Sequence, residues 1–172
     1  MKYTVVIFPT KKVQDIINSY RKRYDPHYAF IPPYLTLKEP FDASDDEIQA
    51  FIEEMHAVAK EIAPFPLHVY KISSFHPVNN VIYGKVKENE SLMELHRKLN
   101  AKGFDPKQKY PFVPHIIIAR DLSDDEHFDV LARLKMKKLD FQETVDRFHL
   151  LYQLDDGMWN VYETFHLRKH DL

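Results

Sequence analysis

Two short segments of this chain carry the side chains best suited to chemistry, and they share one frame. The segment VPHIIIAR puts His115 directly after a proline, and the segment PPYLTLKEP puts Tyr34 in the same place. In both segments apolar and variable residues alternate, which is typical of a β-strand. Because alternate residues of a strand face the same way, we expect Tyr34, Thr36 and Lys38 to share one face.

These residue types and spacings suit the cleavage of a phosphoester. An imidazole with a pKa of about 6.5 can remove a proton from water or a ribose hydroxyl, and a second can protonate the leaving oxygen. A hydroxyl two residues after each imidazole faces the same way and can donate to phosphate oxygens. If the two strands meet at a cleft, Thr36 and Lys38 of one strand lie near His115 of the other.

The order of the surrounding elements indicates that the two segments are copies. The first series is strand 3–8, helix 13–24, the first framed strand, a helix after Ser44 and strand 65–75. The second series is strand 81–86, helix 90–101, the second framed strand, a helix after Ser123 and strand 147–154, with one extra strand at 158–167. Both serines begin an SDDE capping box. The sequence therefore predicts an internally duplicated α+β fold.

Apolar spacing predicts which face of each later helix is buried. In the helix after Ser123 the expected stripe is Phe128, Leu131 and Leu134. The stripe expected in the helix after Ser44 is Ile48, Phe51, Ile52, Met55, Val58, Ala59 and Ile62. The pair Asp156-Gly157 between two alternating segments predicts a hairpin turn.

The composition excludes several classes of protein. The 172 residues are 44% hydrophobic and 29% charged, with a net charge of −2, so no global basic field favours nucleic acid. Without cysteine there can be no disulfide, thiol nucleophile or Cys-ligated metal site. No apolar run approaches the roughly 18 residues of a membrane span, and none resembles a signal sequence. We expect a cytoplasmic protein.

One local cluster of cations leaves two interpretations. Arg21, Lys22 and Arg23 alternate with aromatic residues near the end of a predicted helix. They are interpreted as a solvated helix end, where cations are favourable. The alternative is contact with a nucleic-acid backbone, assisted by stacking.

Four further segments, with the two frames, resemble the two-histidine (2H) phosphoesterase superfamily, whose mark is a pair of His-x-Thr/Ser-x motifs on duplicated lobes. They are SYRKRYDP (19–26), PVNNVIY (77–83), LSDDEH (122–127) and DRFHLLYQL (146–154). Within the superfamily the chain is similar to the bacterial YjcG-like phosphoesterases, and so to 2′-5′ RNA ligases and cyclic phosphodiesterases. The likeness extends over essentially the whole chain.

The resemblance implies a bilobal α+β fold in which two mainly antiparallel β-sheets form a central groove with flanking helices. It implies one two-lobed domain over residues 1–172, with pseudo-repeat halves roughly 1–76 and 77–172. The known substrates of the superfamily are 2′,3′-cyclic phosphates, 2′-5′-linked RNA and related nucleotide phosphodiesters. The implied ligand is therefore a nucleotide or an RNA end, and no cofactor, metal, membrane or DNA is implied.

Each motif departs from the family pattern at one position. Tyr34 stands where the first motif has its histidine, and Ile117 stands where the second motif has its hydroxyl. The resemblance therefore carries over His115 as the catalytic residue and Thr36 as a phosphate-binding residue. Lys38, on the expected face of the first strand, is the further candidate for phosphate binding.

These departures leave three interpretations open. The chain is a phosphoesterase of weak activity, in which Tyr34 acts as the acid and His115 as the base. Alternatively it is an inactive module that binds a nucleotide or RNA. The third alternative is a chain retained for its fold alone, in which the substitutions were introduced or tolerated.

Overall fold

The computed structural model describes residues 1–101 and 111–168. Within those residues the four helices are α1 (Lys11–Tyr24), α2 (Asp45–Glu61), α3 (Glu90–Leu99) and α4 (Asp124–Lys135). The strands there are β1 (Lys2–Ile7), β2 (Leu35–Asp42), β3 (Phe65–Ser74), β4 (Ile82–Val86), β5 (His115–Ala119), β6 (Phe141–Val145), β7 (Arg147–Gln153) and β8 (Trp159–His166). None of the described helices is both long enough and apolar enough to span a membrane.

Both predicted capping boxes are present and fix the starts of α2 and α4. The Ser44 hydroxyl accepts from the backbone N–H of Glu47, whose carboxylate accepts from the backbone N–H of Ser44. Ser123 and Glu126 repeat the same reciprocal bonds. Each box satisfies two amide groups that the first helical turn leaves without partners.

All the strands lie in one antiparallel sheet in the order β6-β3-β4-β5-β2-β1-β7-β8. We call β2, β1, β7 and β8 the first half-sheet, and β5, β4, β3 and β6 the second half-sheet. They meet at a seam between β2 and β5, where Leu35 pairs with Ile116. The α+β class and its antiparallel strands are confirmed, and the two predicted sheets are joined at this seam.

The chain crosses between the half-sheets twice. Although β3 follows α2, it pairs with β4 and β6 in the second half-sheet. Likewise β7 follows β6 but pairs with β1 in the first half-sheet. The hairpin β7–β8 closes at Asp156-Gly157 as predicted, with Gly157 at φ 90°.

The hydrophobic core lies between one face of the sheet and the helices. Leu35 and Ile116 at the seam are fully buried there, and the predicted stripe of α2 is buried with them except for Val58, which is half-buried. The opposite face carries a smaller apolar cluster of Val6, Ile31 and Leu151, against which Tyr34 and Trp159 pack. The larger part of the core therefore lies on one face of the seam, and only this small cluster lies on the other.

Two predictions about the second series were wrong in detail. The strand β6, with the sequence FQETV, was missed because its alternation is short and mostly polar. In α4 the buried residues are His127, Val130 and Leu134, whereas Phe128 is 50% exposed. The helix is rotated from the expected face because His127 is buried, with its Nε2 2.7 Å from the Ser74 hydroxyl.

Candidate functional site

The seam brings the two framed segments together residue by residue. Because Leu35 pairs with Ile116 in an antiparallel register, Thr36 lies opposite His115 and Tyr34 lies opposite Ile117. All four side chains belong to the face opposite the buried seam pair. We call Thr36 and His115 the His–Thr pair, and Tyr34 and Ile117 the Tyr–Ile pair. Each pair takes one residue from each motif.

A cavity of about 510 Å³ opens beside the His–Thr pair. Its described lining is Thr36, Leu37, Glu39, Phe75, Val78, Asn79, His96, Pro111, Phe112, Val113 and His115. A volume of this size suits a small organic ligand such as a nucleotide. The cavity therefore contains both of the motif residues that this chain retains.

His115 is held in one orientation and one tautomer. Its Nδ1 lies 2.6 Å from the Val113 carbonyl oxygen, which can only accept, so Nδ1 carries the proton. A neutral His115 therefore has its lone pair on Nε2. Phe75 and Tyr83 hold the ring by edge contacts, with centroid distances of 5.0 and 5.3 Å.

The surroundings of His115 favour its neutral form. Burial lowers the pKa of the imidazole, and the positive charge of Arg120 lowers it further, whereas the bond to the Val113 carbonyl acts in the opposite direction. A neutral imidazole at neutral pH is a base and not an acid. His115 is therefore suited to remove a proton from a nucleophile.

Lys38 does not join Thr36 at the cavity, contrary to the sequence prediction. The register of β2 shifts there, so that Thr36 pairs with Val6 but Lys38 pairs with Val5, whose side chain is in the core. Lys38 is only 1% exposed, and its ammonium lies 5.2 Å from the ring centre of Phe41. This irregularity breaks the alternation on which the prediction depended.

The Tyr34 hydroxyl is held by a network that the motifs did not predict. Arg120, directly after β5, donates from Nη2 to this hydroxyl at 3.3 Å. The Nε of Arg120 lies 2.9 Å from Oδ1 of Asp25, which follows the last residue of α1. The backbone N–H of Arg120 also donates to the Tyr24 carbonyl at 3.1 Å. The end of α1 is therefore tied to the seam.

Asp25 also binds a second arginine, which corrects the interpretation of the cations in α1. Arg21 is 1% exposed, and its Nε donates to Oδ2 of Asp25 at 3.2 Å. Its Nη2 donates to the Ile31 carbonyl at 2.8 Å. Arg21 is thus neither a solvated residue nor available to nucleic acid, whereas Lys22 and Arg23 are exposed.

We expect Asp25→Asn to lower the free energy of unfolding by about 3–5 kcal/mol, because it leaves two buried guanidinium groups without their carboxylate. The matched control is Asp15→Asn, which removes the exposed (i, i+4) ion pair with Lys11 on the same helix. That loss should be below about 1 kcal/mol. Urea denaturation of the two variants measures both. Equal losses would contradict a structural role for the buried cluster.

The cavity also contains residues that sequence spacing gave no reason to select. His96 of α3 stacks on Phe112 with the ring centres 3.7 Å apart and the planes 2° from parallel. Burial, together with the charge of Lys38, lowers the pKa of His96 to about 4, so this imidazole is neutral at physiological pH. The pair adds a flat, uncharged surface to the cavity.

Comparison with known proteins gives a family and a fold. A profile of the 2′-5′ RNA ligase superfamily matches residues 8–157. A relative from Bacillus licheniformis, named "Putative phosphoesterase", is 56% identical over 96% of this chain and 98% of its own length. One from Bacillus pumilus with the same name is 57% identical over 96% of both chains.

Two solved structures have the same fold. The apo form of Escherichia coli LigT aligns over 98% of both chains with a TM-score of 0.70 and 17% identity. A Thermus thermophilus protein aligns over 99% of this chain and 100% of its own, with a TM-score of 0.73 and 20% identity. LigT has also been solved in complex with 3′-AMP, ATP, NADP+ and phosphate.

Proposed function

Since this chain belongs to the 2′-5′ RNA ligase superfamily, we propose that it is a phosphoesterase of low turnover, acting on 2′,3′-cyclic or 2′-5′-linked nucleotide phosphodiesters. The observation that carries the proposal is the His–Thr pair, which borders a nucleotide-sized cavity. The complexes of LigT with 3′-AMP and ATP support the choice of nucleotide ligands.

The proposed reaction uses side chains of the seam. His115 takes a proton on Nε2 from a water molecule, and the water oxygen attacks phosphorus. The bond from phosphorus to one ribose oxygen breaks, and that oxygen takes the proton of the Tyr34 hydroxyl. The Thr36 hydroxyl donates to a non-bridging phosphate oxygen. The proton on His115 then returns through solvent to Tyr34.

Turnover is expected to be low because the Tyr–Ile pair has lost two groups. A positioned general acid or base contributes about 10²–10⁴-fold in rate, and a phenol replaces an imidazole in that role. Ile117 has no hydroxyl, and one hydrogen bond to a charged phosphate contributes about 1.5–3 kcal/mol. Its branched side chain also occupies space near the anion.

The test is hydrolysis by the purified protein of 2′,3′-cyclic nucleotides and of a 2′-5′-linked dinucleotide, with product separated by chromatography. Slow formation of a single phosphomonoester isomer, lost in His115→Ala, supports the proposal. If a protein with a cooperative unfolding transition shows no turnover above the buffer rate, the proposal that it is a phosphoesterase is rejected.

The pH dependence of kcat/KM provides a further prediction. Only neutral His115 accepts a proton, so kcat/KM should rise with pH as the imidazole loses its proton and then become constant. Because burial lowers the pKa of His115, the rise should lie below the ordinary histidine value, about 6.5. Initial rates between pH 4.5 and 8 measure it. A rise centred above 6.5 would contradict the assignment of His115 as base.

A second function, binding without cleavage, is favoured by the Tyr–Ile pair. The Tyr34 hydroxyl is already bonded to Arg120, and Ile117 offers no donor. The cavity, Thr36 and His115 still provide a place for a nucleotide phosphate. Calorimetry with 3′-AMP and a short RNA tests this: binding that is weakened in His115→Ala, with no turnover, selects this function. If none of these ligands gives a measurable heat of binding, this second function is rejected.

A further inference from the structure

The buried cluster beside the seam carries more positive than negative charge. Arg21 and Arg120 both contact the carboxylate of Asp25. Two guanidinium groups and one carboxylate leave one net positive charge in a site that is largely removed from solvent. Arginine remains protonated in proteins, so this charge is permanent.

Of the two arginines, Arg120 is the one that reaches the face of the motifs. The side chain of Arg21 is 1% exposed, and its Nη1 and Nη2 donate to the Asn18 side chain and the Ile31 carbonyl. The side chain of Arg120 is 14% exposed, and its Nη2 contacts the Tyr34 hydroxyl. It is also near enough to His115 for its charge to act on that imidazole.

We propose that Arg120 is the cation that binds the ligand phosphate, between the Tyr34 hydroxyl and the His115 imidazole. The inference rests on the proposed function, because it names the group that holds the anion in the same site. Arg120 thus provides the phosphate-binding cation that the sequence analysis predicted at Lys38. Asp25 fixes the guanidinium from behind, so that little side-chain entropy is lost when the anion binds.

The charge and the position of Arg120 explain how phosphate can bind although Ile117 stands in place of a motif hydroxyl. A phosphodiester carries one negative charge, which equals the excess positive charge of the cluster. The Nη1 group of Arg120 has no partner among the described residues and can donate to phosphate oxygens, while Nε lies beside Asp25 and Nη2 contacts Tyr34. Anion binding therefore depends less on the hydroxyl that Ile117 has replaced.

The experiment compares the affinity for a phosphate-bearing ligand with that for its uncharged part. Isothermal titration gives Kd for 3′-AMP and for adenosine, and the ratio of the two isolates the phosphate contribution. In Arg120→Gln the affinity for 3′-AMP should fall about 10- to 100-fold while that for adenosine is nearly unchanged. Arg120→Lys should give an intermediate loss.

The matched control is Lys85→Gln, which removes a cation that lies opposite His115 on β4 but, among the described residues, contacts neither Tyr34 nor Asp25. The ratio should be unchanged in this variant. A fall for both ligands in Arg120→Gln, as a structural role alone would cause, overturns the inference. The inference is also overturned if Arg120→Gln leaves the ratio of the two Kd values unchanged. It is overturned as well if only Lys85→Gln weakens the binding of 3′-AMP.

The failure of this inference is distinguishable from that of the proposed function. If the wild-type protein binds neither 3′-AMP nor inorganic phosphate, both are rejected. If it binds 3′-AMP with a phosphate contribution that Arg120→Gln does not reduce, the inference alone is rejected. Because Arg120→Gln could lower stability through Asp25, its unfolding transition is measured beside that of Arg120→Lys, which keeps the charge.

Discussion

Replacing Tyr34 by His and Ile117 by Thr in one protein is expected to raise kcat/KM for a 2′,3′-cyclic nucleotide by at least about 10²-fold, the lower end of what a general acid contributes. The reason is that these two residues lie opposite one another at the seam, beside the His–Thr pair. The substitutions therefore rebuild one local unit that mirrors a unit already present. Steady-state rates of the parent and the variant, with product identified by chromatography, measure the gain.

The single variants and the pH profile make this prediction specific. Tyr34→His alone should give most of the gain, because it supplies a proton donor with a pKa near neutrality. Ile117→Thr alone should give less than the double variant. The double variant should also show a bell-shaped dependence of kcat/KM on pH, since one imidazole must be neutral and the other protonated. No gain in a stably folded double variant would mean that the four residues do not act as one site.

The second large effect is expected from His115→Ala, which should lower kcat/KM of the wild-type protein by about 10²–10⁴-fold. His115 lines the cavity and carries its lone pair on Nε2, so its removal deletes the proposed base. In the double variant with Tyr34→His and Ile117→Thr, the same deletion should remove the gain.

His149→Ala is the matched control for His115→Ala. His149 is also a partly buried strand histidine whose pKa is lowered by burial and by the charge of Arg147, but it lies on β7 and bonds to Thr164 at 2.9 Å. Two strands, β2 and β1, separate β5 from β7, so turnover should be little changed. Equal losses in both variants would indicate a general effect on the fold and would contradict a catalytic role for His115.

The features that sequence predicted well are those that depend on nearby residues. The capping boxes at Ser44 and Ser123 need only four consecutive residues, and the hairpin at Gly157 needs a two-residue turn. The frame around Thr36 and His115 also needs only neighbouring residues, and its role as a catalytic site stays a prediction. The structure pairs the two framed strands directly, at Leu35 and Ile116.

The features that sequence missed depend on contacts between distant segments. Lys38 enters the core because β1 shifts the register of β2, which alternation within β2 cannot reveal. Arg120 gains its position from Asp25, 95 positions earlier in the chain. His127 is buried because Ser74, 53 positions earlier in the chain, offers it a partner, which the spacing within α4 cannot reveal.

The exchange of strands between the half-sheets has a consequence for how the protein is made. The strand β1 is synthesised before β7, yet β7 is one of its two neighbours, with Tyr3 paired to Tyr152. During translation β1 therefore keeps an open edge until β7 has left the ribosome. Long-range pairing of this kind slows folding and prolongs the exposure of unpaired strands. We therefore expect the pairing of β1 with β7 to form after the pairing of β1 with β2, as one of the later events in folding.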